Sequence, residues 1–371
     1  MTENNGQTSK RRQTLRSLAA AGIVLILALA VAAFLFRDRL FSPGPADRYA
    51  DIEPFTYETG SDQRFALCGD GLAVASTTGL QLTDQAGNTV AKSIFSMEAP
   101  AVDASEKLAI FFDAGGTALY AADRTGAVTQ IDPEGTIISA DMAENGYFAV
   151  CTQEAGYKGL ATIYNSALSP VYRWYSGSGW LMKCAVSPDG GAMAAICAES
   201  SGTVLHIFRL DSETEKASLT LADKLYFDVI WLSGSRLCLV SEDDIVFVDS
   251  SAGDQRSFGF EGAYLVDYAV SGGHMSLFLS EYLTGGTGTL TSFDTTGEIL
   301  ASVTTDRSLV SLSRSGEKTL ALYTDGCVLY GADLSEKGAE EDILGVKGAL
   351  LRSDGKALML SAYYGELKTI S

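Results

Sequence analysis

Two histidines, six cysteines and an acidic triplet are the residues of this 371-residue chain that could do chemistry. His206 and His274 are far apart in sequence and neither is at metal-ligand spacing from a cysteine. There is no H-E-x-x-H pair, nucleophile elbow or phosphate-cradling loop. Gly285-Gly286-Thr287-Gly288 is glycine-rich but leads into an apolar strand-like run, not a helix, so it reads as a flexible loop. Cys68, Cys151, Cys184, Cys197, Cys238 and Cys327 form no C-x-x-C pair, and most sit inside apolar runs such as AAIC and RLCLV. They read as buried free thiols behaving as small hydrophobes. Cys184 and Cys197 flank one predicted hairpin, so a disulfide between them stays open. Calcium needs several oxygens converging on one centre. Glu242-Asp243-Asp244 lies in a tight turn, where three consecutive side chains diverge, and reads as a solvated turn. No catalytic residue, metal or cofactor is assigned on these grounds.

The elements that carry these residues form a repeat. After residue 48, each unit has a short apolar strand, a polar turn and a second apolar strand. The turns are centred at 70, 106, 145, 189, 234, 272, 316 and 354, at intervals of 36, 39, 44, 45, 38, 44 and 38. A third strand, another tight turn and a fourth strand follow, as in LQLTDQAG (80–87), LYAADRTG (119–126) and LTSFDTTG (290–297). Four antiparallel strands per unit, at a period near 40, predict an all-β fold: an eight-bladed β-propeller, with seven blades as the alternative. The eighth copy ends at Ser371 with three strands, and an orphan strand-like stretch, Tyr49 to Thr59, precedes the first. That stretch is expected to complete the last blade and close residues 49–371 into a ring, leaving no sheet edge unpaired.

In such a ring the second-to-third loops emerge on the same face as the blade-to-blade connections. These loops are read as long at Gln153 to Gly159, Ala198 to Gly202 and Ser280 to Gly288. They carry Tyr157 and Tyr282, while the connection SGSGW brings Trp180 just after Tyr172, Trp174 and Tyr175. Tyr172 and Trp174 are expected to pack between blades. Tyr157, Tyr175, Trp180 and Tyr282 are the candidate contact residues for a protein or glycan partner, since aromatics on a loop-rich face are common anchors.

The N-terminus sets the expected location. Residues 17–36, SLAAAGIVLILALAVAAFLF, are 20 uncharged residues; at about 1.5 Å each they span roughly 30 Å, a bilayer's hydrocarbon thickness. A cleaved signal peptide has a shorter apolar core and a small-x-small site, so a transmembrane signal-anchor helix is the expectation. Lys10, Arg11, Arg12 and Arg16 precede it, which places the tail 1–16 in the cytoplasm and, beyond a linker at 37–48, the ring outside the cytoplasmic membrane. Residues 1–48 carry seven basic and three acidic side chains, a net +4; the whole chain carries −19, which leaves −23 for the remainder. So acidic a body argues against nucleic acid and anionic polymers as partners.

The turn SPDG (187–190) with HIFRLD after it resembles degenerate blades of WD40-like and quinoprotein-like propellers. The layout, together with YRWYS (172–176), KCAVSPDGGAMA (183–194) and FDVIWL (227–232), is similar to a membrane-anchored propeller family of Gram-positive bacteria. That resemblance implies topology and fold and no reaction. The expected function is a non-catalytic binding or scaffold module facing an envelope protein or cell-wall glycan. The alternatives are an extracytoplasmic hydrolase or lyase with acids in the central funnel, and a sensor acting through a membrane partner.

Overall fold

The computed structural model describes residues 54–57, 60–341 and 343–371. The chain divides into two compact units, Met1–Asp51 and Ile52–Ser371. The first, with the expected anchor at 17–36, lies outside the described residues. Among the described residues no helix is long and apolar enough to cross a membrane.

The second unit is all-β: among the described residues 32 strands form eight four-stranded antiparallel sheets. The first strands of blades 1 to 8 are Arg64–Cys68, Pro100–Ala104, Ile137–Met142, Trp180–Val186, Tyr226–Ser233, Tyr264–Ser271, Leu309–Ser315 and Gly348–Leu351. Within blades 1 to 7 the strands follow one another in sequence order. First strands of most neighbouring blades pack against one another, so they line the axis of an eight-bladed propeller.

Burial follows from that position. The second and third strands of a blade are covered on both faces, so they read as continuous apolar runs: Leu108–Asp113, Phe148–Thr152 and Leu160–Tyr164 are buried throughout. The fourth strand is the rim, and Glu215–Ala222 alternates between exposed and half-buried. The buried apolar residues fall into eight clusters, one at each blade-to-blade junction. The eighth joins Leu358, Leu360 and Leu367 of the last blade to Leu72 and Val74 of the first, with Tyr57 between them. No blade has a core of its own; each apolar face is buried by its neighbour.

Closure uses the upstream strand. Phe55–Thr56 pairs antiparallel with Tyr364–Lys368, Phe55 opposite Gly365 and Thr56 opposite Tyr364, and forms the rim of blade 8. This is shorter than the expected 49–59; residues 49–53 and 58–59 lie outside the described residues. Gly87 is needed where this strand meets blade 1: it has φ 82° and a Cβ there would stand 2.4 Å from the Phe55 ring.

The turns between third and fourth strands share one chemistry. Asp84, Asp123 and Asp294 each accept, through Oδ1, the N–H groups two and four residues on, and Gly87, Gly126 and Gly297 three residues on have positive φ. The Thr125 hydroxyl, with these backbone bonds, holds the Asp123 carboxyl below the usual range; at Asp294 burial pulls upward, and the backbone bonds and the Thr296 hydroxyl outweigh it.

Two sequence expectations need correction. The long loop expected at 198–202 is a tight turn of Ser200 and Ser201, because the flanking strands stay paired out to Glu199 and Gly202. The acidic triplet is solvated only at Glu242 and Asp243; Asp244 is buried. Its carboxylate pairs with the Lys224 ammonium and accepts from the Ser241 hydroxyl at 2.7 Å.

Candidate functional site

Three of the four predicted contact residues meet on one face of the ring. The second-to-third loop of blade 3, residues 153–159, lies against the connection from blade 3 to blade 4. Backbone bonds pin the two together: Lys158 N–H donates to Ser176 O at 2.8 Å, Ser176 N–H to Gly159 O at 2.9 Å, and Leu181 N–H to Lys158 O at 3.0 Å. Tyr157 and Tyr175 therefore stand 4.8 Å apart between ring centroids, tilted by 46°. Lys158 Nζ sits 4.1 Å above the Trp180 ring, a contact worth about 0.5–1 kcal/mol at an exposed site. Trp180 is nonetheless 62% exposed. With Thr136, Ile138, Gln153 and Glu154, Tyr157, Lys158 and Trp180 line a depression of about 550 Å³. That volume suits a side chain or a small sugar unit.

Tyr282 is elsewhere. It is 60% exposed on the 281–287 loop of blade 6, where the Ser280 hydroxyl and Gly285 N–H both donate to its carbonyl, at 2.8 and 3.0 Å. It shares the loop face but not the cluster. Tyr172 and Trp174 are partly buried against the junction of blades 3 and 4, as expected, with the Tyr172 hydroxyl donating to Ser212 O at 3.0 Å.

All six cysteines are free and buried. The Cys184 thiol is held well above its ordinary range by its hydrogen bond with Cys151 and by burial, and burial pushes Cys197 up to about 12. Neither is poised as a nucleophile.

A second cluster, unread in the sequence, surrounds the axis. The Lys183 ammonium of blade 4 lies 3.1 Å from Asp141 Oδ1 of blade 3 and 2.5 Å from Asp228 Oδ1 of blade 5. The Tyr268 hydroxyl of blade 6 donates to the other Asp228 oxygen. Asp103 of blade 2 accepts Met142 N–H of blade 3 at 2.8 Å, Asp267 of blade 6 accepts Leu312 N–H of blade 7 at 2.7 Å, and Ser313 accepts Leu351 N–H of blade 8 at 2.8 Å. Asp70 of blade 1 accepts the Ser353 N–H and hydroxyl of blade 8 at 3.1 and 2.9 Å. Carboxylates thus join successive blades from 2 to 7 and blade 8 to blade 1, and the Ser313 hydroxyl joins blade 7 to blade 8. Among the described residues no three His, Cys, Asp or Glu side chains are grouped to hold a metal ion.

Crowding of acids shifts their protonation. Asp103 is pushed up to about 7 by burial and then by the Asp141 carboxylate, against its backbone hydrogen bonds. Asp141 and Asp267 are also raised, chiefly by burial. A carboxyl whose folded pKa exceeds its unfolded value makes the folded chain bind the extra proton between about pH 4 and 7, so its contribution to stability falls as pH rises through that window. We expect the ring to be more stable at pH 5 than at pH 8, by about 2–4 kcal/mol in urea unfolding. Asp103→Asn should flatten most of that slope; an unchanged slope in the variant would place the extra proton elsewhere.

The sequence did carry a signal for this layer. Ile138-Ser139, Met182-Lys183, Phe227-Asp228, Val266-Asp267 and Val310-Ser311 recur at the start of five successive first strands. A polar residue inside an otherwise apolar strand, repeated at the blade period and charged in three of the five, marks a position the fold treats alike in these units.

Known structures with this architecture support the fold. The C-terminal WD40 domain of Sif2 matches with a TM-score of 0.58 at 12% identity, over 87% of this chain and 98% of that one. Sqt1 from Chaetomium thermophilum, bound to the N-terminus of a ribosomal protein, matches at 0.58 and 13%, over 86% and 100%. BamB from Moraxella catarrhalis matches at 0.57 and 13%, over 86% and 99%. At such identities the likeness is one of fold. No curated protein matches the sequence at a significant level. A family model covers residues 47–332, up to the third strand of blade 7, and the chain belongs to that family, DUF5711, a family of unknown function.

Proposed function

We propose that this propeller is a binding module rather than an enzyme, held on the outer side of the cytoplasmic membrane by residues 17–36. Its partner is a protein or glycan of the cell envelope. One observation carries the reading: Tyr157 and Trp180 line one depression on the face where the loops emerge, Tyr175 packs against the Tyr157 ring, and all three are partly exposed. Large aromatic side chains left in water at a pinned backbone are typical interface anchors. The uncharged stretch at 17–36 and the basic residues before it support the membrane placement. Against the hydrolase reading, the axial carboxylates are engaged: each accepts backbone N–H groups, the Lys183 ammonium, or a hydroxyl that joins neighbouring blades. A catalytic acid needs its oxygens available to substrate.

Affinity capture from envelope extract on the purified full chain tests the proposal. Trp180→Ala combined with Tyr157→Ala should weaken capture of a specific partner by about 30-fold or more, the scale of a lost hot spot. Tyr282→Ala alone should have a smaller effect, being on another blade. Retained capture by the double variant would reject this face.

A further inference from the structure

The rim strand of each blade has an outer edge that pairs with no other strand among the described residues. Its outward N–H and C=O groups are a template for a foreign strand unless something blunts the edge. Seven of the eight rims are blunted. Phe55–Thr56 and Val128–Gln130 are described as two and three residues long. Pro170–Tyr175 holds a proline and an arginine, and Thr89–Ile94 holds Lys92 in an exposed position. Glu215–Ala222, Gln255–Gly259 and Glu336–Glu340 each carry at least one charge. Blade 6 is the exception: its rim, Ile299–Thr305, reads ILASVTT, seven residues with no charge and no proline.

The surroundings of this edge restrict what can add to it. Ala301 and Val303 pack toward the junction with blade 7, while Leu300, Ser302 and Thr304 are exposed, Leu300 by 47%. Glu298 and Asp306 bracket the run; both are exposed, and neither side chain forms an ion pair or hydrogen bond among the described residues. A second copy paired antiparallel along the whole strand, Ile299 opposite Thr305, would set Glu298 against Asp306 of the copy at both ends. Like charges directly opposite are destabilising. The body beyond residue 48 is also acidic, so two copies repel at longer range. A strand with basic ends meets a free carboxylate at each end, whichever way it runs.

We propose that the rim of blade 6 takes up an extended segment of a partner protein: an uncharged run of β-branched and apolar residues, as long as the rim strand, with lysine or arginine at its ends. The segment adds a fifth strand to the blade. Backbone hydrogen bonds to Ile299–Thr305 hold it, its apolar side chains cover Leu300, and its cations meet Glu298 and Asp306. This edge is on the circumference at blade 6, separate from the Trp180 depression of blades 3 and 4, and the proposal does not depend on that depression.

A displayed library of random peptides, panned against the immobilised full chain in detergent micelles, tests it. The expected result is enrichment of uncharged β-forming runs flanked by Lys or Arg. For an enriched peptide, Leu300→Lys should weaken binding about tenfold, since lysine blunts an edge. Glu298→Lys with Asp306→Lys should weaken it as much and favour the same peptide with glutamates at its ends. All three positions are exposed, so thermal melting of the variants should stay unchanged. N-methylation of the peptide should weaken binding at one alternating set of residues and not at the other, the period of a paired strand. No enrichment, enrichment of acid-flanked sequences, indifference to Leu300→Lys, or N-methylation effects without that alternation would overturn the proposal. Dimers of the unliganded chain that Leu300→Lys dissolves would overturn it too, by giving the edge to a second copy. Trp180→Ala with Tyr157→Ala should leave peptide binding intact. Loss of envelope capture in that double variant alone would leave the loop face standing whatever the outcome at the rim.

Discussion

Lys183→Met is expected to destabilise the propeller by about 3–5 kcal/mol at pH 7, read from the midpoint of urea unfolding. The ammonium sits between Asp141 and Asp228, on blades before and after its own. Burial alone would lower its pKa; the two carboxylates outweigh burial and hold it well above the ordinary lysine value. A lysine pKa raised on folding contributes stability below the unfolded value, lost only as pH rises through the folded one, so at neutral pH the contribution is whole. Methionine matches the length of the stem but leaves the buried Asp228 and the mostly buried Asp141 carboxylates without their cation. The destabilisation should shrink at pH 5, where Asp141, whose carboxyl burial raises, takes up a proton more readily. A loss below about 1 kcal/mol at pH 7 would mean that the trio behaves as solvated surface charges.

Tyr57→Ala is the second large effect. Tyr57 is buried at the junction of blades 8 and 1, its ring 5.5 Å from Phe65 between centroids at 65°. Its hydroxyl donates to Ser361 O at 2.5 Å and lies 3.1 Å from Tyr364 O, and its N–H donates to Tyr363 O at 3.2 Å. Burial raises the phenol's pKa, so it stays a neutral donor. Truncation removes a large ring from the cluster that joins the two chain ends and should cost about 3–5 kcal/mol. Tyr57→Phe keeps the packing and should cost about 1–2 kcal/mol, the price of one buried carbonyl contact. A loosened Phe55–Thr56 strand would also bare the edge of Tyr364–Lys368, and concentration-dependent oligomers by size-exclusion chromatography should follow for the alanine variant. Equal stability of alanine and phenylalanine variants would show that the aromatic packing contributes nothing to closure.

Local chemistry was legible in the sequence and long-range register was not. The turns could be read because each is self-contained: Asp123 bonds the N–H groups of Thr125 and Ala127, and Gly126 supplies the left-handed residue. Eight such units at a steady period require the ring, since none can bury both faces alone. Tyr157, Tyr175 and Trp180 could be placed together because they lie on two loops adjacent in the chain. Tyr282 required the angular position of blade 6. The axial layer was missed for a sharper reason. A bulge shifts pairing by one residue, and a one-residue shift turns every following side chain to the other face. Lys183 meets Asp228 only because Met182 and Phe227 are both skipped. Asp244 reads as one acid among three in a turn until Lys224, 20 residues earlier, folds back onto it.

The division of labour is the central claim: inner strands hold the ring, and the loop face around Trp180 meets the partner. The most direct measurement is photo-crosslinking from the intact chain in its own cells, with a photo-reactive phenylalanine analogue placed in turn at Tyr157, Trp180, Asn145 and Ser353. The last two lie in the first-to-second turns, on the opposite face. Discrete adducts from positions 157 and 180, and none from 145 and 353, are predicted. Adducts confined to positions 145 and 353 would contradict the account.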